Sequence, residues 1–147
     1  MAEQFQGGCA CGAIRYQCSA DLMLGRRCYC RDCQRATGGG YAPLVSIPAD
    51  FFQFLEGELK FATTTLDSGN TVRRGFCPSC GSPVAGFASA FPEMVSIFAG
   101  SLDEPNRFNP IMEIFTSSAV PWVTFNPDLV AFTHSPTPEQ VQELLSS

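Results

Sequence analysis

A chain of 147 residues, 45% hydrophobic and 16% charged, can bury the core of one domain and is not a disordered polymer. Its net charge of −5 excludes the basic surface that phosphate neutralisation demands, so nucleic acids and anionic membranes are set aside as partners. No stretch approaches the roughly 20 apolar residues of a spanning helix.

The start of the chain, Met1-Ala2-Glu3-Gln4-Phe5-Gln6, carries neither the basic nor the apolar region of a secretory leader. The expected location is cytoplasmic, where thiols stay reduced and eight cysteines point to metal ligation. In a secreted chain the same eight could pair into four bridges, but their spacings are those of metal sites.

Thirteen Phe with many Val and Thr, punctuated by eleven Pro and thirteen Gly, predict an all-β fold of short strands and frequent turns. Ala13 to Cys18 alternates apolar and polar residues as a strand does. Arg31 to Thr37 reads as a short helix, halted by Gly38-Gly39-Gly40. Tyr41 to Ile47, Leu59 to Thr65, Thr71 to Phe76 and Met94 to Phe98 have strand composition, and Asp67-Ser68-Gly69-Asn70 turns a hairpin between two of them. Met112 to Thr116 and Leu129 to Phe132 add late strands. A C-terminal helix is expected at about 138–146, with Thr137 as N-cap, Pro138 in the first turn and Gln140 completing a capping box. Its Val141, Leu144 and Leu145 fall on one face, suited to packing over a sheet edge. No linker or repeat divides residues 1–147, so a single zinc-binding domain is expected.

The cysteines carry the chemistry. Cys77-Pro78-Ser79-Cys80-Gly81 is a C-x₂-C knuckle, and Gly81 permits the backbone conformation that such a turn often needs. A lone C-x₂-C could also be a redox pair, but that reading expects a βαβ setting with the motif opening a helix. Here it follows a strand and precedes Ser82-Pro83-Val84. A structural zinc needs four ligands, and Cys9-Ala10-Cys11 supplies the other two. Along a regular strand those two sulfurs stand too far apart to chelate, so the pair must sit in a bend, which Gly7, Gly8 and Gly12 permit. Cys9, Cys11, Cys77 and Cys80 then form a closed site that adds metal-binding energy to folding.

Cys28-Tyr29-Cys30-Arg31-Asp32-Cys33 offers three thiolates within six residues. The only histidine, His134, lies far along the chain. Three protein ligands and an open fourth position are the arrangement of a catalytic zinc. Cys18 either closes this second set as a fourth ligand or is a buried free cysteine.

These motifs resemble the glutathione-dependent formaldehyde-activating enzyme family, also called the GFA or centromere-protein-V-like domain. The matching stretches are Gly7 to Tyr16, Cys28 to Gly38 and Phe76 to Ser82, with a looser match at Pro121-Trp122-Val123. The resemblance implies a β-tent, Mss4-like fold with two zinc ions per chain. One would be a structural site at Cys9, Cys11, Cys77 and Cys80, and the other a catalytic site at Cys28, Cys30 and Cys33. It also implies a carbon–sulfur lyase reaction joining formaldehyde and glutathione. Two departures stand out. The residue between the first two cysteines of the second site is often His or Arg in the family and is Tyr29 here. The segment before the late Pro-Trp often carries a His, and Glu113 occupies that region here.

An anionic thiol such as glutathione needs positive groups, and Arg31 and Arg35 flank the second motif. They bind substrate, or they are solvated, or they pair with Asp32. Gly38-Gly39-Gly40 either presents backbone N–H groups to a carboxylate or is a plain turn. Arg26-Arg27 reads as an exposed polar pair, Phe51-Phe52 and Trp122 as core packing or pocket walls, and Glu113 as a paired carboxylate or a general base. A zinc-stabilised binding module or glutathione carrier is the non-enzymatic alternative. A homodimer is carried only as a prior for small soluble enzymes.

Overall fold

The computed structural model of the protein describes residues 4–20 and 24–146. In chain order the strands are β1 (Gln4–Gly8), β2 (Arg15–Ser19), β3 (Leu24–Cys28), β4 (Ala42–Pro48), β5 (Phe52–Glu56), β6 (Lys60–Thr65), β7 (Thr71–Phe76), β8 (Pro83–Ala88), β9 (Met94–Phe98), β10 (Pro110–Ile114) and β11 (Val130–Ala131). The α-helices are α1 (Arg31–Thr37) and α2 (Pro138–Ser146). The all-β class expected from composition is the class found. The chain divides into two compact units, one running to Leu24 and resuming over Leu44–Phe108, the other made of Gly25–Pro43 and the segment from Asn109 onward.

In the first unit β1, β2 and β5 pair antiparallel in that order, and β4, β9, β8, β7 and β6 form a second antiparallel run. Residues 67–70 close the hairpin between β6 and β7, where Thr65 faces Thr71 and the Leu66 N–H donates to the Asn70 carbonyl at 2.8 Å. Alternation decides which side chains go inward: along β2, Tyr16 and Cys18 are buried while their neighbours are half-exposed. They join Phe5, Ile14, Val45, Ile47, Val84, Val95 and Ile97 in one core. Each fully buried aliphatic side chain there contributes roughly 1.5–3 kcal/mol relative to exposure. Cys18 is part of this core, and burial pushes its thiol up to about 12. Phe52 packs against the same core, stacked on Tyr16 at 5.2 Å, whereas Phe51 is exposed.

In the second unit β10 lies between β3 and β11, parallel to both. Its register sets Glu113 opposite Arg27 and Ile114 opposite Cys28. The segment after Cys28 turns into α1, which ends at Gly38 in the left-handed conformation with its N–H donating to the Gln34 carbonyl at 2.8 Å. The Gly39 N–H donates to Thr37 Oγ1 at 3.2 Å, so both amides serve the helix end rather than a ligand. At α2, Thr137 and Gln140 exchange side-chain-to-backbone hydrogen bonds of 2.8 and 3.2 Å. Val141 and Leu144 are half-buried and Leu145 is exposed.

Two expectations are corrected. Trp122 is 70% exposed rather than packed in a core; it stands over Gly40, where a Cβ would come within 3.1 Å of its ring. Arg26 and Arg27 are half-buried rather than exposed, and Arg27 has a buried ionic partner in Glu113.

One tight approach in the first unit is at Gly7, where a Cβ would meet the Tyr16 hydroxyl at 2.2 Å and the Ser101 carbonyl at 2.4 Å. Tyr16 is pinned by its 2.7 Å hydrogen bond to Ser101 Oγ and cannot yield cheaply. Gly7→Ala is therefore expected to cost about 3 kcal/mol, at the upper end of overpacking penalties. Gly100→Ala, with open space around it, should stay within about 0.5 kcal/mol of the parent. Urea unfolding midpoints of the two variants measure the difference.

Candidate metal centres

Two groups of sulfurs converge, each within a single unit. In the first unit Cys9 and Cys11 occupy the turn of the β1–β2 hairpin, and Cys77 and Cys80 occupy the turn between β7 and β8. The bend at the first turn is set by the Cys9 N–H donating to the Ile14 carbonyl at 3.2 Å and the Gly12 N–H to the Cys9 carbonyl at 3.3 Å. At the second, the Gly81 N–H donates to the Cys77 carbonyl at 2.8 Å, and the Ser79 and Cys80 amides point at Cys77 Sγ at 3.4 and 3.5 Å. Ser82 ties the turns together: its Oγ accepts from the Ala10 N–H at 3.1 Å and lies 3.1 Å from Cys80 Sγ.

All four sulfurs lie within 4.8 Å of one another. Tetrahedral zinc with bonds of roughly 2.3 Å would hold sulfurs about 3.8 Å apart. Cys9 and Cys11 sulfurs are 3.6 Å apart and Cys11 and Cys77 sulfurs 3.8 Å, so the donor set fits such an ion. The thiols also differ in acidity. Cys80 is pulled down to about 5 by hydrogen bonds from the Ser82 hydroxyl and from the Ser82 and Cys11 backbone. The Ala13 amide lowers Cys11, but Cys9 and Cys80 outweigh it and push the thiol up to about 11.

In the second unit Cys28 ends β3, Cys30 caps the N-terminus of α1, and Cys33 sits in its first turn. Cys30 Sγ accepts from the Cys33 N–H at 3.3 Å. The three sulfurs lie within 4.8 Å of one another, with Cys28 and Cys33 buried and Cys30 half-buried. Among the described residues no fourth Cys, His, Asp or Glu joins the group. Hydrogen bonding to Cys30 and Cys33, together with burial, raises the Cys28 thiol far above its ordinary value. Three sulfurs so close remain deprotonated together only beside a cation, and three thiolates suit a soft divalent metal.

A buried polar network lies next to this group. Glu113 is fully buried, and its Oε1 accepts from Arg27 Nη2, from the Tyr29 hydroxyl at 2.9 Å and from the Asn126 N–H at 3.2 Å. Arg27 Nη2 also donates to the Tyr29 hydroxyl at 2.8 Å. Burial, followed by the Glu113 hydrogen bond, pushes the Tyr29 phenol up to about 12. Tyr29 and Glu113, from the segment before α1 and from β10, are thus bonded to each other. Glu113 is a paired carboxylate here and not one poised as a free base.

Gln34 was not anticipated as part of the site. It is buried beside Cys33, and its Nε2 donates to the Tyr29 carbonyl at 2.7 Å and to the Ser118 carbonyl at 3.0 Å. Nothing in its neighbours' sequence marks it, because its partners come from another element. Arg31 and Arg35 are exposed, one helical turn apart on α1, and Arg31 Nη1 donates to Gln34 Oε1.

Comparison with known proteins agrees with the motifs. Residues 4–118 match the family model described as "Glutathione-dependent formaldehyde-activating enzyme". A Halomonas elongata protein named "Putative glutathione-dependent formaldehyde-activating enzyme" is 33% identical over 117 residues, 74% of each chain. A crystal structure of a Rhodobacter sphaeroides protein superposes with a TM-score of 0.56 at 18% identity, covering 86% of this chain and 98% of that one, a likeness of fold. With its all-β architecture, its two sulfur clusters and a family match that runs through all three cysteine motifs, the chain belongs to the glutathione-dependent formaldehyde-activating enzyme family, of β-tent fold.

Proposed function

We propose that this protein is a zinc enzyme of thiol–carbonyl chemistry, a carbon–sulfur lyase acting on the adduct of glutathione or a related thiol with formaldehyde or a similar small carbonyl compound. The observation that carries the reading is the difference between the two clusters. One has the four sulfurs of a closed structural site, and the other has three. Cys9, Cys11, Cys77 and Cys80 would hold a structural zinc, and Cys28, Cys30 and Cys33 the second. The family model runs through both units, which supports reading them as one GFA domain. A cytoplasmic setting, which keeps thiols reduced, fits eight free cysteines.

The net reaction adds the thiol S–H across the carbonyl: a C–S bond forms and the proton ends on the former carbonyl oxygen, with the reverse step in the lyase direction. Zinc held by three thiolates supplies a means of lowering the pKa of a coordinating thiol. The remaining work falls to the chain. Cys28 and Cys33 are buried, which keeps competing water from the back of the cluster, while half-buried Cys30 marks its open side. Arg31 and Arg35 project one helical turn apart and can grip a carboxylate of the thiol substrate.

Purified protein is expected to carry two zinc ions per chain. Cys33→Ser should keep one and lose about 100-fold of the thiol-dependent consumption of formaldehyde. Wild-type consumption no faster than the uncatalysed background, across several thiols and aldehydes, would instead favour a binding module or glutathione carrier. The arginine assignment has its own readout. Arg31→Ala combined with Arg35→Ala should raise KM for glutathione about tenfold and leave kcat unchanged, the signature of lost ground-state binding. An unchanged KM removes both residues from substrate binding.

A further inference from the structure

We infer that Tyr29 and Glu113 are a positioning pair that sets the spacing of Cys28, Cys30 and Cys33 for metal capture. The inference rests on the proposed metal site and concerns residues that touch neither metal nor substrate.

Tyr29 is the residue between the first two sulfurs, and it is held at four points. Its N–H donates to the Ile114 carbonyl of β10 at 3.0 Å. Its carbonyl accepts from Gln34 Nε2 on α1 at 2.7 Å. Its hydroxyl lies in the Arg27–Glu113 ion pair. Its ring packs against Tyr41 at 5.3 Å and edge-on against Phe125 at 5.1 Å. Two of these anchors, the hydroxyl contacts and the ring packing, belong to the side chain itself. The anchors run to the elements that carry the sulfurs: β3, which ends at Cys28 and is paired to β10, and α1, which carries Cys33 beside Gln34.

Glu113 completes the arrangement. A carboxylate buried without partners would be costly, and here Oε1 takes three donors, one of them the Tyr29 hydroxyl. Oε2 is buried and makes no hydrogen bond among the described residues. The contacts on Oε1 therefore carry the burial of the whole group. The register that sets Glu113 opposite Arg27 also sets Ile114 opposite Cys28, so the ion pair and the first sulfur are fixed by the same strand pairing. A network that merely stabilised the fold would have no particular effect on metal binding. A positioning pair would, because supports behind ligands set metal affinity.

The test is zinc release from wild type, Tyr29→Phe, Glu113→Gln and the double variant, followed with a chromogenic chelator. The phase lost in Cys33→Ser identifies the three-sulfur site. Cobalt(II) absorption of each protein reports thiolate geometry independently of activity. Expected is a loss of roughly 10- to 100-fold in affinity at the three-sulfur site for Glu113→Gln, with altered cobalt bands and the four-sulfur phase unmoved. Tyr29→Phe, which keeps the ring and so the packing, should show a smaller loss in the same direction. The double variant should be no worse than the sum of the singles. If Glu113→Gln fails to fold, Tyr29→Phe decides. Three-sulfur affinity and cobalt spectra within twofold of wild type would overturn the inference while leaving the zinc reading intact. A wild-type protein releasing only the four-sulfur metal would overturn both.

Discussion

Sulfurs a few ångströms apart cannot all be thiolates unless a cation sits among them, and this molecule gathers seven of its eight cysteines at such distances. Without a counter-charge the crowding raises some thiols, Cys11 to about 11 and Cys28 well beyond its ordinary range, while hydrogen bonds pull Cys80 down to about 5. A divalent metal removes that conflict, and metal-binding energy then becomes folding energy. In the first unit, this cluster and the Ser82 hydrogen bonds tie the β1–β2 turn to the β7–β8 turn. In the second, the same requirement falls on a strand end and a helix start.

That requirement explains what the sequence makes legible. C-x-C and C-x₂-C are short-range devices: the geometry that brings two sulfurs to one ion is written within three or four residues. Each motif could therefore be read from spacing, while joining Cys9 and Cys11 to Cys77 and Cys80 rests on the four ligands of a structural zinc. Strands with clear β composition, Thr71–Phe76 and Met94–Phe98, coincide with the expected spans because their own residues dictate the conformation. The helix over Arg31–Thr37 does too, bounded by the glycine that ends it.

Other elements owe their conformation to partners that local sequence does not name. β3 reads Leu-Gly-Arg-Arg-Cys and looks like a polar turn; it becomes a strand because β10 pairs with it and Glu113 neutralises Arg27. β8 begins with Pro83 and contains Gly86, both poor strand residues, yet pairs with β7 and β9. β5 is largely exposed and shows no clean alternation, so only its pairing to β2 identifies it. Trp122, read as core packing or a pocket wall, lies beyond the last 3-10 turn and is 70% exposed, which excludes the core.

The same distinction separates metal from substrate in what the chain encodes. Within each motif the sulfurs are local in sequence: Cys9 with Cys11, Cys77 with Cys80, and Cys28 with Cys30 and Cys33. The side chains behind them are not: Tyr29 and Glu113 are 84 positions apart, and Gln34 reaches Ser118 across the same separation. Far apart in sequence, Tyr29 and Glu113 are joined by a 2.9 Å hydrogen bond. Arg27 Nη2 donates to both, and the Asn126 N–H also donates to Glu113, so each keeps a partner when the other is replaced. The buried phenol, carboxylate and guanidinium are best regarded as one network of the site.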